Sequence, residues 1–113
     1  EESKNLEFDR AEFGAITLQT FCAHLTALSR VLDWEVLIEK VTSGPRRVLN
    51  LDVPRVEENT EANLTLFDPS LTWTFNEETN YSRSRNSPWF GREVTGKVVA
   101  VFNNGKHWLD NQA

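Results

Sequence analysis

The sequence predicts an α+β chain, with helices in its first half and short strands in its second. Three observations carry that reading. Apolar residues from Leu18 to Val41 recur at three- and four-residue spacing, the period of one helix face. After Pro54 the period shortens to two, in Asn63-Leu64-Thr65-Leu66-Phe67 and again in Leu71-Thr72-Trp73-Thr74-Phe75. The two kinds of element do not alternate, and such segregation belongs to α+β folds or to the seam between two subdomains. With 113 residues, 39% of them apolar, the chain can bury one modest core and not two.

Taken in order, residues 1–12 are charged and aperiodic, with Phe8 and Phe13 as apolar anchors and Gly14 as a tight turn able to adopt positive φ. Thr17 or Thr20 can cap the first helix, whose stripe runs through Leu18, Phe21, Cys22, Leu25, Leu28 and Leu32. Cys22 lies on that stripe and reads as a small core residue. His24 lies off it and reads as solvated or capping. Asp33 can cap a second helix carrying Trp34, Leu37, Ile38 and Val41. Ser43-Gly44-Pro45 ends that helix and opens a short third one with Pro45 at its first position. Val48, Leu49 and Leu51 are expected to pack inward, and Asn50 to terminate the helix in a left-handed conformation.

The second half begins with a polar connection at 55–61. Strands are predicted at 63–67 and 71–75, with Asp68-Pro69-Ser70 turning between them. A third strand is predicted at 97–102 and a fourth at 106–109, joined by a hairpin at Asn103-Asn104-Gly105, since Asn-Gly favours positive φ. Between the second and third lies a long irregular segment containing Ser82-Arg83-Ser84-Arg85-Asn86-Ser87-Pro88-Trp89-Phe90-Gly91. Loops longer than about a dozen residues are uncommon in compact domains and tend to be functional or disordered. Trp89 and Phe90 read as pegs that pin the segment to a neighbouring domain. Alternatively, Arg83, Arg85 and Arg92 grip an anion while Trp89 stacks on a flat ligand.

Other chemistry is sparse. The net charge of −5 argues against nucleic acid as a partner, because phosphate binding needs cations. The single cysteine excludes an intrachain disulfide and fits a reducing compartment. No apolar run is long enough to cross a bilayer, so no membrane partner is expected. His24 and His107 sit far apart without Cys or carboxylates at ligand spacing, so no metal site is expected. Glu35 and Glu39 share a helix face without a histidine and read as a solvated pair. No catalytic residue is assigned. The chain contains no Met and opens on Glu1-Glu2-Ser3-Lys4, which suggests a piece of a longer polypeptide.

The run from Ser82 through Trp89-Phe90-Gly91-Arg92-Glu93, followed by Gly96-Lys97-Val98, resembles the C-terminal signature of bacterial-type dihydroorotases in the amidohydrolase superfamily. Glu61-Ala62-Asn63-Leu64-Thr65-Leu66-Phe67-Asp68-Pro69 with Trp73-Thr74 resembles the strand pair that precedes it there, and Asn103-Asn104-Gly105-Lys106 the closing hairpin. Glu2-Ser3-Lys4, then Phe13-Gly14 and Leu18-Gln19-Thr20, resembles the loop after the last catalytic strand and the helix it feeds. The resemblance implies a fragment. Residues 1–53 would be the last active-site loop and helices of a (β/α)₈ barrel. Residues 54–113 would be the C-terminal strands and wrapping loop of a small β-sandwich subdomain.

It further implies a cytoplasmic zinc enzyme that interconverts N-carbamoyl-L-aspartate and dihydroorotate in pyrimidine biosynthesis, with a homodimer expected. The zinc ligands and the general acid/base Asp, in an Asp-His-Ala-Pro-His motif, would lie upstream of Glu1. The fragment itself would hold no metal and show no turnover. The positions that match a family substrate contact are Phe13 and Gly14, whose backbone meets the substrate ring. Thr17 in place of Gly, the 43–46 run, Asn63 in place of Asp and the bulky Trp89-Phe90 pair depart from the usual pattern. A hydantoinase or allantoinase relative, a non-catalytic dihydroorotase-like structural partner and a free-standing anion-binding domain stand as alternatives. In the fragment reading, the strands are expected to leave an unpaired edge or an exposed apolar face.

Overall fold

The computed structural model describes residues 7, 10 and 13–110. Three helices precede three strands: α1 (Phe21–Leu28), α2 (Trp34–Val41), α3 (Ser43–Val48), β1 (Leu64–Phe75), β2 (Arg92–Asn103) and β3 (Lys106–Leu109). The strands form one antiparallel sheet in the order β1-β2-β3. Phe8 and the Glu2-Ser3-Lys4 element lie outside the described residues.

Each predicted helix forms, with different boundaries and a different buried face. α1 buries Ala23 and Leu25, while Phe21 and Leu28 stay exposed, as do Leu18 and Leu32 beyond its ends. The face that packs is therefore rotated from the expected stripe, because the helix lies against β2 along its small residues. α2 buries Leu37 and sets Trp34 against Phe67 of β1, with ring centroids 5.4 Å apart. Neither Thr20 nor Asp33 makes a side-chain capping bond. In α3, Pro45 is the third residue and not the first. That position is equally harmless, because the first four amides of a helix have no intrahelical acceptor. Asn50 has φ +54, Leu51 N–H donates to the Arg46 carbonyl (2.8 Å) and Asn50 N–H to that of Arg47 (3.3 Å). This is a Schellman termination with Asn in the left-handed position. Val48, Leu49 and Leu51 do not pack inward, being 86%, 67% and 53% exposed.

The two predicted strands at 63–67 and 71–75 are one strand. Asp68-Pro69-Ser70 does not reverse the chain. It forms an irregularity within β1, so that Asp68 faces Lys97 and Thr72 faces Thr95 of the same partner. The Asp68 carboxylate accepts from Ser70 N–H (2.7 Å) and Ser70 Oγ (2.6 Å), satisfying the turn locally while the ladder resumes beyond it. β2 begins at Arg92, earlier than the predicted 97, and pairs on both sides. Its hairpin to β3 forms at the expected place. Asn103 pairs with Lys106, and Asn104 and Gly105 adopt φ +50 and +70 in the two-residue connection.

The core is small: Ala23 and Leu25 of α1, Leu37 of α2, Phe75 of β1 and Ala100 of β2. Phe75 is 1% exposed and meets Trp73 and Phe90 edge-on at 5.9 and 5.5 Å. Among the described residues the sheet remains open. All of β3 is exposed, and Leu66, Trp108 and Leu109 are uncovered apolar residues on the strands.

Candidate functional site

The loop between β1 and β2, residues 76–91, organises the candidate site. Gly91 N–H donates to the Phe75 carbonyl (2.6 Å), closing the loop at its base. Its interior replaces ladder bonds with short polar side chains. Asn76 Oδ1 accepts from Glu78 and Thr79 N–H (3.0 and 3.2 Å). Asn80 Oδ1 accepts from Ser82 N–H (2.9 Å), and its amide donates to the carbonyls of Ser82 and Ser84 (3.0 Å each). Asn and Ser side chains compete with secondary structure in this way, which is why a segment rich in them holds a defined loop.

Two aromatic anchors fix that loop to the rest of the chain. Phe90 packs on Phe75, and Trp89 lies 4.2 Å from His24 of α1, tilted by 54°. The expected pegs are present, and they seat on this chain's own helix and strand. His24 is thus half-buried against Trp89, where it was expected to be solvated or capping. Thr20 Oγ1 lies 3.2 Å from the Thr17 carbonyl, to which it donates, and shares a 3.0 Å hydrogen bond with His24 Nε2. Burial of the imidazole pushes its pKa below the ordinary value. Cys22 is half-buried, at the margin of the core rather than in it, and burial raises its thiol pKa.

The anchored loop stitches itself to the segment before α1. Asn86 Nδ2 donates to the Gly14 carbonyl (2.8 Å), and Ile16 N–H donates to the Asn86 carbonyl (2.9 Å). Gln19 works as a second clamp. Its amide donates to the Thr79 carbonyl, and its Oε1 accepts from Tyr81 N–H (3.0 Å). Gly14 has φ +110 with nothing within 4 Å of an added Cβ, and Phe13 is 99% exposed. Phe13 is therefore no apolar anchor in this chain. The Phe13-Gly14 pair lies in irregular backbone that Asn86 holds at the Gly14 carbonyl. Sequence reasoning singled out the turn and missed both clamps. The available signal was that Gln19 and Asn86 lie inside the two motifs that carry the resemblance, each with an amide able to donate and accept at once.

The arginines do not converge on an anion site. Arg85 pairs with Glu77 at 2.6 Å, and Arg83 points into solvent. Trp89 is engaged on one side by His24. Beside the Gln19 clamp lies a cleft of about 450 Å³ walled by Trp73, Tyr81 and Trp108. Lys97 and Asp110, which also line it, pair with each other at 2.5 Å, their side chains 21% and 8% exposed. Among the described residues no three His, Cys, Asp or Glu converge on a point that a metal ion could take. A zinc centre therefore does not fit the side chains of the described residues, and none of them is assigned as a ligand. Nor is any helix among the described residues long and apolar enough to cross a membrane.

No family profile matches the chain. It is, however, similar to curated dihydroorotases. That of Aquifex aeolicus is 38% identical over 95 residues, covering 82% of this chain and 22% of that protein. Those of Clostridium acetobutylicum and Geotalea daltonii are 36% and 34% identical over 108 and 107 residues, each covering 93% of this chain, and 26% and 25% of their own lengths. The chain thus spans about a quarter of the length of the curated relatives it matches. By similarity that runs through both clamped segments and the closing hairpin, the chain belongs to the dihydroorotase family and corresponds to the C-terminal portion of a member.

Proposed function

We propose that this chain is the part of a dihydroorotase that frames its substrate without supplying its metal. The reaction is the reversible closure of N-carbamoyl-L-aspartate to dihydroorotate, a step of pyrimidine biosynthesis. The parent enzyme is a cytoplasmic, zinc-dependent homodimer whose metal ligands and proton-transferring carboxylate lie in the remainder of the protein. Here residues 1–53 complete the barrel, and residues 54–113 contribute strands to a β-sandwich. Phe13 and Gly14 meet the substrate ring through their backbone, where the missing Cβ of Gly14 permits close approach. One observation supports this most: an added Cβ at Gly14 would meet none of the described residues, while the Gly14 carbonyl is held by Asn86. The open sheet edge and the uncovered Leu66, Trp108 and Leu109 fit strands whose partners come from elsewhere in the parent.

The dihydroorotase reading is preferred to a hydantoinase or allantoinase because the relatives carry the former name across 82–93% of the chain. The test is turnover by the full-length protein that contains this chain. Expected are ring closure and opening with dihydroorotate, preference for it over hydantoin and allantoin, and loss of activity on chelation. The 113-residue chain alone is expected to be inactive with added zinc. Turnover by the pure chain refutes the division of labour. An inactive full-length protein lacking the upstream histidines identifies a structural homologue instead.

A further inference from the structure

We infer that Asn86 is a positioning residue for the substrate, acting through the Gly14 carbonyl. The inference rests on the substrate reading of the Phe13-Gly14 turn and deepens it. The turn cannot hold itself. Phe13 is 99% exposed, and Gly14 adopts φ +110 with no described residue within 4 Å of an added Cβ. Glycine has the widest choice of backbone conformations, so an unbraced turn would lose that freedom each time substrate bound. The brace comes from sequence-distant residues. Asn86 uses both its side chain and its backbone, donating Nδ2–H to Gly14 (2.8 Å) and accepting Ile16 N–H (2.9 Å). Two hydrogen bonds spaced two residues apart fix the orientation of the peptide planes between them.

Asn86 can do this because it is itself fixed. Its N–H donates to Ser84 Oγ (3.2 Å), and three and four residues later Trp89 and Phe90 seat on His24 and Phe75. A path of packed rings therefore leads from the buried core to the turn, with the Asn86 amide as its last link. Gln19 holds the neighbouring stretch of the same loop at Thr79 and Tyr81 and does not reach the turn. Removing the Asn86 amide leaves the Ile16 bond and the ring contacts in place, so the fold is retained while Gly14 is released.

The experiment uses the full-length enzyme with Asn86→Ala and Asn86→Asp. The second variant keeps the shape and removes the donor. Loss of one neutral hydrogen bond predicts kcat/KM lower by roughly five- to tenfold. The loss falls in KM, with kcat within about twofold, because pre-organisation of a binding surface serves ground state and transition state alike. Amide exchange at 14–16 rises in both variants while exchange in α1 is unchanged, a readout that general destabilisation would not give. Asn86→Gln, which retains the donor, recovers part of the KM loss. Unchanged KM in Asn86→Ala, a loss confined to kcat, or variants that fail to fold each overturn the inference. An inactive wild-type enzyme would instead sink the substrate reading itself, so the two failures are distinct.

Discussion

Gly96 lies where α1 and β2 approach closely, and Gly96→Ala is a sharp probe of this fold. Gly96 is buried and has φ +110. A Cβ there would lie 3.0 Å from the Cys22 carbonyl oxygen and 3.1 Å from the Ala23 Cα, and nearer still to Thr26 Oγ1. The first two are helix backbone, which cannot swing aside as a side-chain tip does. Positive φ costs a non-glycine residue about 1–2 kcal/mol, and forcing atoms into a packed contact adds about 1–3 kcal/mol. The sum, about 2–5 kcal/mol, is a large share of the ~5–15 kcal/mol that holds a typical domain together. Gly105→Ala is the matched control. It has φ +70 and nothing within 4 Å, so only the conformational cost of about 1–2 kcal/mol applies. Amide exchange at 21–28 and 92–103 in the full-length protein reads both. At a factor of ten per ~1.4 kcal/mol, Gly96→Ala should accelerate exchange by at least roughly thirtyfold, and by more than Gly105→Ala. Equal effects of the two substitutions would mean that α1 does not rest on β2 at this residue.

Trp89→Ala removes the ring over His24 and costs about 2 kcal/mol, less than the ~3–5 kcal/mol typical of a fully buried aromatic because Trp89 is only half-buried. It should also raise the His24 pKa toward its ordinary value, as read by NMR titration. In the unsubstituted protein this lowered pKa means the unfolded state binds more protons as pH falls through about 6.5. The His24 contribution to stability is therefore complete above that pH and declines below it, and a denaturation series across pH 5–7.5 checks the sign. Lys97→Met removes the ammonium paired with a mostly buried Asp110 carboxylate and should cost about 3 kcal/mol in chemical denaturation. Arg47→Met, whose pair with Glu39 is exposed, should cost under about 1 kcal/mol. Gly14→Ala in the full-length enzyme should raise KM about tenfold if the proposed substrate contact holds, at the same conformational cost of about 1–2 kcal/mol that positive φ imposes at Gly105, since the added methyl meets none of the described residues.

Much of this was legible in the residues. Asn103-Asn104-Gly105 formed the hairpin it announced, and Asn50 took the left-handed position, because both outcomes depend on backbone sterics within a few residues. The helical period of Trp34–Val41 and the alternation of Leu71–Phe75 likewise placed α2 and the second half of β1. Asp68-Pro69-Ser70 misled for the complementary reason. Its side-chain bonds make the same local turn in a hairpin or in a bulge, and only the twelve-residue β2, long enough to pair with both halves, decides between them. Phe13, Val48, Leu49 and Leu51 were expected to anchor inward and did not. Hydrophobicity says that a side chain should be covered, without saying by what.

The chemistry divides in the same way. Composition and spacing gave no reason to expect a metal site, and the motifs directed attention to Phe13 and Gly14. Neither could show what braces that turn. Asn86 and Gln19 act across 72 and 62 residues of chain, on Gly14 and Tyr81 respectively. His24 changed from a surface residue to the seat of Trp89 by the same kind of long-range contact. Short-range order follows from dihedral preferences that each residue carries with it. The partner of an amide or a ring is settled only when distant segments are brought together, and that is a property of the packed chain.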